Sequence, residues 1–182
     1  MGKDILRSEL LRSLNTLSQD EIQVLSFSVT NQIIKFLKMF PELTSQVGAG
    51  FLPIRAEIAP VYQELLHAAP VTLAYPISKD KVMSFAIPVG MPRGGIWLEQ
   101  PYHEVAPDWF FVPGVGFGLN GRRLGRGKGF YDRYLEQSKA LKIGIAWSGQ
   151  LIETIPVESH DCHMDFIITE KFCWDVKQQV KF

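Results

Sequence analysis

Cysteine is scarce: Cys162 and Cys173 are the only two in 182 residues. A disulfide-stapled scaffold is excluded, and a reduced pair is expected. Long apolar runs are missing too. The longest stretch free of Asp, Glu, Lys and Arg, residues 65–78, contains His67, Pro70 and Pro76, and it falls short of the ~20 apolar residues that a membrane span needs. Met1-Gly2-Lys3-Asp4 leads into charged residues at helical spacing, with no apolar core and cleavage site, so the cytoplasm is the expected location. Charge of one sign is also lacking, because 19 Lys and Arg offset 19 Asp and Glu. That balance argues against a protein that coats nucleic acid or an anionic membrane through its overall field. Any anion site must be local.

What is present is apolar and aromatic. With 46% hydrophobic residues, including 12 Phe, 5 Tyr and 4 Trp, the chain can build a core that needs neither metal nor disulfide. Trp97, Trp109 and Trp147 are expected to serve that core. No internal repeat or linker-like block divides residues 1–182, so a single domain is expected.

Ile5, Leu6, Leu10, Leu11, Leu14 and Leu17 recur at three-to-four spacing and predict an amphipathic helix ending near Asn15 or Thr16. Ser18 followed by Glu21 reads as a capping box that starts a second helix, with Ile22, Leu25, Val29, Ile33 and Phe36 as its buried stripe and Pro41 as its stop. From Val47 onward the texture changes. Short apolar runs at 47–54, 71–77, 82–87, 109–115, 143–147 and 166–169 predict strands, with helix-length segments at 60–68 and 131–140. Strands alternating with helices imply an α/β fold: a mostly parallel sheet with helices on both faces, a Rossmann-like three-layer arrangement.

The segment richest in chemistry is Gly121-Arg122-Arg123-Leu124-Gly125-Arg126-Gly127-Lys128-Gly129-Phe130-Tyr131-Asp132-Arg133. Alternating Gly125, Gly127 and Gly129 let backbone N–H groups approach an anion closely, while Arg123, Arg126 and Lys128 supply charge. A helix starting near Phe130 or Tyr131 would add its positive dipole end. A triphosphate or another polyanion fits such a loop, although it is neither a Walker A loop nor a dinucleotide fingerprint. Single-stranded RNA binding would need an extended basic groove that the rest of the chain does not offer. Zinc at His160-Asp161-Cys162-His163 is disfavoured by the spacing of its histidines and by Cys173 being the one other thiol. No Ser or Cys sits in a recognisable nucleophile elbow.

Residues Arg123 to Asp132 resemble the signature of the 5-formyltetrahydrofolate cyclo-ligase family, also called methenyltetrahydrofolate synthetases. The resemblance runs through the chain in order: Lys3 and Arg7, Phe51 to Glu57, Ile96 to Pro101, Val112 to Phe117, Ile155 to Asp161, and Asp165 with Ile167 to Glu170. Gln100 stands between Glu99 and Pro101, one residue out of the usual register. The resemblance implies an enzyme that uses ATP and magnesium to cyclise 5-formyltetrahydrofolate to 5,10-methenyltetrahydrofolate, releasing ADP and phosphate through a phosphorylated formyl (imidate phosphate) intermediate. A non-catalytic nucleotide- or folate-binding regulatory homologue is the alternative.

Residue by residue, the resemblance assigns nucleotide binding to Lys3, Asp4, Ile5, Leu6, Arg7, Arg123, Gly125, Gly127, Lys128, Gly129 and Tyr131. It assigns folate binding to Leu52, Glu57, Arg126, Gly127, Lys128, Gly129 and Phe130, and catalytic charge neutralisation to Lys128 and Arg126. Magnesium prefers hard oxygen ligands and keeps several waters, so Asp132 and Asp165 are its expected ligands. The partners are ATP and reduced folate, with neither nucleic acid nor membrane, and the protein is expected to act as a monomer.

Overall fold

The computed structural model describes residues 2–79, 82–88, 102–156 and 162–182. Helix α1 spans Lys3–Asn15 and α2 spans Gln19–Met39. The capping box forms as the sequence predicts: the Ser18 hydroxyl accepts from the Glu21 backbone N–H, and the Glu21 carboxylate accepts from the Ser18 N–H at 2.8 Å. Pro41 opens a short 3₁₀ turn, Pro41–Ser45, which ends the helical run.

The remaining elements are β1 (Val47–Ala49), α3 (Tyr62–Ala68), β2 (Thr72–Lys79), β3 (Val82–Pro88), β4 (Tyr102–Val105), β5 (Trp109–Pro113), β6 (Gly116–Gly118), β7 (Arg123–Leu124), α4 (Phe130–Glu136), β8 (Leu141–Ile145), β9 (Leu151–Ile152), β10 (Phe166–Ile168), β11 (Cys173–Asp175) and β12 (Val180–Lys181). Nine of these strands form one sheet in the order β12-β11-β10-β8-β5-β1-β2-β3-β4.

The expected mostly parallel sheet is in fact mixed. Its centre, β10-β8-β5-β1-β2, is parallel, whereas β3 and β4 at one edge and β11 and β12 at the other run antiparallel. Connection length explains the β11 edge. Thr169 and Phe172 close a tight turn between β10 and β11, and so short a link returns the chain only antiparallel. Strands β7, β6 and β9 form a second, small sheet that the sequence did not announce.

Alternation along β5 divides the core. Trp109 and Phe111 pack with Ile33 and Phe36 of α2 and Leu65 of α3, while Phe110 and Val112 pack with Phe85 of β3 and Leu135 of α4 on the other face. Gly48 permits the fit, since a Cβ there would lie 2.1 Å from the Trp109 ring. A third cluster, with Leu6, Leu10, Val115 and Leu124 at its heart, fastens α1 to the small sheet. Both cysteines are free and buried.

The expected strand 47–54 stops at Ala49. Beyond it the N–H and carbonyl of Phe51 bond to the Tyr62 hydroxyl, at 2.8 and 2.7 Å, instead of to a neighbouring strand. Residues 51–57 therefore leave the sheet and become a wall of the site.

Candidate active site

Strands β1 and β5 end at Ala49 and Pro113; the chain beyond β1 walls one, and the chain beyond β5 borders both, of two cavities that meet at the glycine loop. Open parallel sheets place ligands at this carboxyl end of their strands. The smaller cavity, about 300 Å³, lies between α1 and the loop and is lined by Lys3, Arg7, Arg133 and Glu136 among others. The larger, about 750 Å³, is walled by Phe51, Leu52, Pro53, Ile54, Met83 and Phe130, with Glu57, Arg126 and Lys128 as the charged residues that line it alone. Arg123, Gly125, Gly129 and Asp132 border both.

Arg123 forms the floor between them. Its guanidinium donates to the Pro113 carbonyl at 3.1 Å and to the Asp132 carboxylate at 2.5 Å, and its side chain is only 5% exposed. It lies 5.7 Å from the Tyr131 ring centroid. Gly125 makes room for it, since a Cβ there would sit 3.0 Å from Nη1. The Nε of Arg123 and the hydroxyl of Tyr131 are buried with no hydrogen-bond partner among the described residues. Burial pushes the Tyr131 phenol well above its ordinary range, with Arg123 opposing and Glu57 adding to the shift. Tyr131 therefore stays a neutral donor at any physiological pH.

Gly127 has φ of 89° and open space where a side chain would be, and Gly129 has φ of 66° immediately before α4. These conformations suit glycine and bare the loop backbone toward the cavities. The loop is held from two sides. Arg7 donates from Nε to the Gly125 carbonyl at 2.9 Å, and Arg126 donates from Nε to Glu57 at 2.8 Å.

Residues 1–170 match the model of the 5-formyltetrahydrofolate cyclo-ligase family. The chain belongs to this family. Among solved structures it is similar to a 5,10-methenyltetrahydrofolate synthetase from Mycoplasma pneumoniae (TM-score 0.78, 29% identity, covering 93% of this chain and 99% of that one). It is also similar to the Aquifex aeolicus 5,10-methenyltetrahydrofolate synthetase (TM-score 0.76, 31% identity, 97% and 94% covered). The 5-formyltetrahydrofolate cyclo-ligase of Mus musculus is 29% identical over 91% of this chain and 92% of its own length.

The cyclo-ligase positions singled out in the sequence do not all converge. Lys3 and Arg7 line the small cavity, but Leu6 is buried in the third core cluster, Ile5 points outward at 57% exposure, and Asp4 is an exposed ion-pair partner of Arg7. Leu52, Glu57, Arg126, Lys128 and Phe130 all line the large cavity. So does Tyr131, expected on the nucleotide side; it does not line the small one.

Asp165 is not brought to the site. Its carboxylate accepts from the Lys142 N–H at 2.8 Å, where β8 and β10 begin, at the opposite end of the sheet from the cavities. Residues 96–101, with Glu99 and Trp97, and residues 157–161, with His160 and Asp161, lie outside the described residues.

Among the cavity residues not assigned to the site from the sequence are Arg133, Glu136, Pro76 and Met83. Arg133 and Glu136 follow Asp132 on one face of α4, a periodicity that could have flagged them. Pro76 and Met83 reach the large cavity from the β2–β3 hairpin. A proline inside an expected strand was a signal, and Met83 had none.

Proposed function

We propose that residues 1–182 act as one monomeric cytoplasmic domain that binds the nucleotide in the small cavity and the reduced folate in the large one. The reaction is the ATP-dependent cyclisation of 5-formyltetrahydrofolate to 5,10-methenyltetrahydrofolate. The observation that carries this assignment of cavities is the glycine loop as their common wall: Lys3, Arg7 and Arg133 lie on the smaller side, and on the other is a mostly apolar chamber to which Glu57 adds a carboxylate of its own.

Lys3 and Arg7, one turn apart on α1, grip the phosphates together with the bared loop backbone. The formyl oxygen of the folate approaches from the other side, near Lys128. It attacks the γ-phosphorus as the bond to the β-phosphate oxygen breaks, and ADP leaves. The resulting imidate phosphate is attacked at its carbon by the second folate nitrogen, which closes the ring and gives up its proton, and hydrogen phosphate departs with the former formyl oxygen and that proton.

Such chemistry asks for positioning and charge neutralisation rather than a protein nucleophile. The Arg126 guanidinium is committed to Glu57 and the Ile54 carbonyl, so neutralisation falls to Lys128, which is exposed in the large cavity. Glu57 keeps unused lone pairs for the N–H donors of the pterin ring.

Asp132 fits magnesium. It borders both cavities, and one carboxylate plus phosphate oxygens is the donor set this ion accepts. Asp165 is too occupied and too far round the sheet to share that task. Magnesium, when bound, neutralises charge on the transferring phosphoryl oxygens.

Incubating the protein with 5-formyltetrahydrofolate, ATP and magnesium should raise the long-wave ultraviolet absorbance of the methenyl product, and omitting any one component should abolish the rise. No absorbance change in the complete mixture would overturn the reading.

A further inference from the structure

The turn that carries Glu57 does not stand by itself. Arg55 has φ of 59°, a left-handed conformation that costs a residue with a Cβ. Its neighbours are held by side chains rather than by a sheet. The Ile54 N–H donates to Glu57 Oε2 at 2.9 Å, Arg126 Nη2 donates to the Ile54 carbonyl at 3.1 Å, and Arg126 Nε donates to Glu57 Oε1 at 2.8 Å. Three hydrogen bonds close a ring around a carboxylate that is only 8% exposed.

The guanidinium that completes this ring comes from the glycine loop. The residue before it, Gly125, has its carbonyl held by Arg7 of α1. Adjacent loop residues are thus tied one to α1 and one to the turn at 54–57.

We propose that Arg126 is a positioning residue for the large cavity: it holds the left-handed 54–57 turn, thereby sets the Glu57 carboxylate, and makes folate affinity depend on the order of the glycine loop. The inference rests on the folate reading of that cavity. Nucleotide that orders the loop holds Arg126 in place, so the two ligands bind with positive coupling, and linkage makes the coupling reciprocal. Lysine cannot replace arginine fully, because its single ammonium cannot span Glu57 and the Ile54 carbonyl as the fork does.

Hydrogen exchange on the ligand-free protein, followed by 5-formyltetrahydrofolate titration with and without a non-hydrolysable ATP analogue and magnesium, tests this. In Arg126→Gln the Ile54 amide should exchange at least tenfold faster while amides of β5 are unchanged. The folate KM should rise about tenfold, while the Kd of the nucleotide analogue measured without folate stays within twofold. In the unaltered protein the nucleotide analogue should tighten folate binding several-fold, and in Arg126→Gln it should not. Arg126→Lys should recover only part of each effect.

Unchanged Ile54 exchange in Arg126→Gln, or full rescue by lysine, would overturn the positioning role. If the unaltered protein binds no folate while Arg126→Gln still exposes Ile54, the hold on the turn stands and the folate reading falls.

Discussion

The two cavities share a wall and little else. On the α1 side Lys3, Arg7 and Arg133 crowd a volume of about 300 Å³, whereas on the strand-end side Phe51, Leu52, Ile54 and Met83 enclose about 750 Å³. A small cationic chamber suits phosphates, whose binding energy is electrostatic. A large apolar one suits a flat ring system bound mainly by burial, with a few polar groups to orient it. The difference teaches that one loop can serve both, because its glycines bare backbone along the shared wall while its long side chains, Arg126 and Lys128, line the larger chamber alone.

The largest effect should come from the residue placed where the two chambers meet. Lys128→Ala is expected to lower kcat by about 10²–10³-fold, the typical loss for a preorganised stabilising group, with both KM values much less affected; steady-state kinetics would show this. Turnover unchanged would separate the chambers functionally.

Next is the shared floor. Asp132→Asn leaves the buried Arg123 guanidinium without its carboxylate, which should cost about 2 kcal/mol and lower Tm by roughly 4–8 °C. Calorimetry measures that loss, and a raised magnesium requirement in the assay would identify Asp132 as a metal ligand as well.

A crossed pair of substitutions sharpens the contrast itself. Lys3→Ala should raise the KM for ATP about tenfold and leave that for folate unchanged, as expected for one lost charge-assisted contact. Leu52→Ala should do the reverse through lost apolar burial. Matching shifts in both constants for either variant would mean the chambers are not divided as drawn.

The smallest effect concerns Tyr131. Its buried hydroxyl has no partner among the described residues, so Tyr131→Phe should leave the ligand-free protein as stable or up to about 1 kcal/mol more so. The raised phenol also has a sign. The unfolded chain ionises near the ordinary tyrosine value of 10.0 while the buried group does not, so stability is full below that pH and falls above it. Urea titrations between pH 9 and 11 should show a gentler fall in the phenylalanine variant.

Local signals carried the sequence reading a long way. The Ser18–Glu21 box, the stop at Pro41 and the alternating Gly125, Gly127 and Gly129 depend on residues a few positions apart, and each appears where expected. Five of the six expected apolar runs became strands of the large sheet with little change, whereas 47–54 was cut short by the Tyr62 hydroxyl, eleven residues beyond Phe51. The direction of the outer strands was not legible, because it follows from the pairing partner and, at β11, from turn length rather than from apolar pattern. Asp165 looked like a ligand for want of knowing which end of the sheet it would occupy.

The chain order by itself determined an α/β protein with one concentrated anion-binding loop, since composition and short-range periodicity act before any long-range contact exists. Only the folded molecule decided that this loop would stand between two unlike chambers, that Tyr131 would face the larger one, and that Arg126 would close on Glu57 across 69 positions. Contacts at such separation depend on how the sheet brings strand ends together, and no local pattern encodes that.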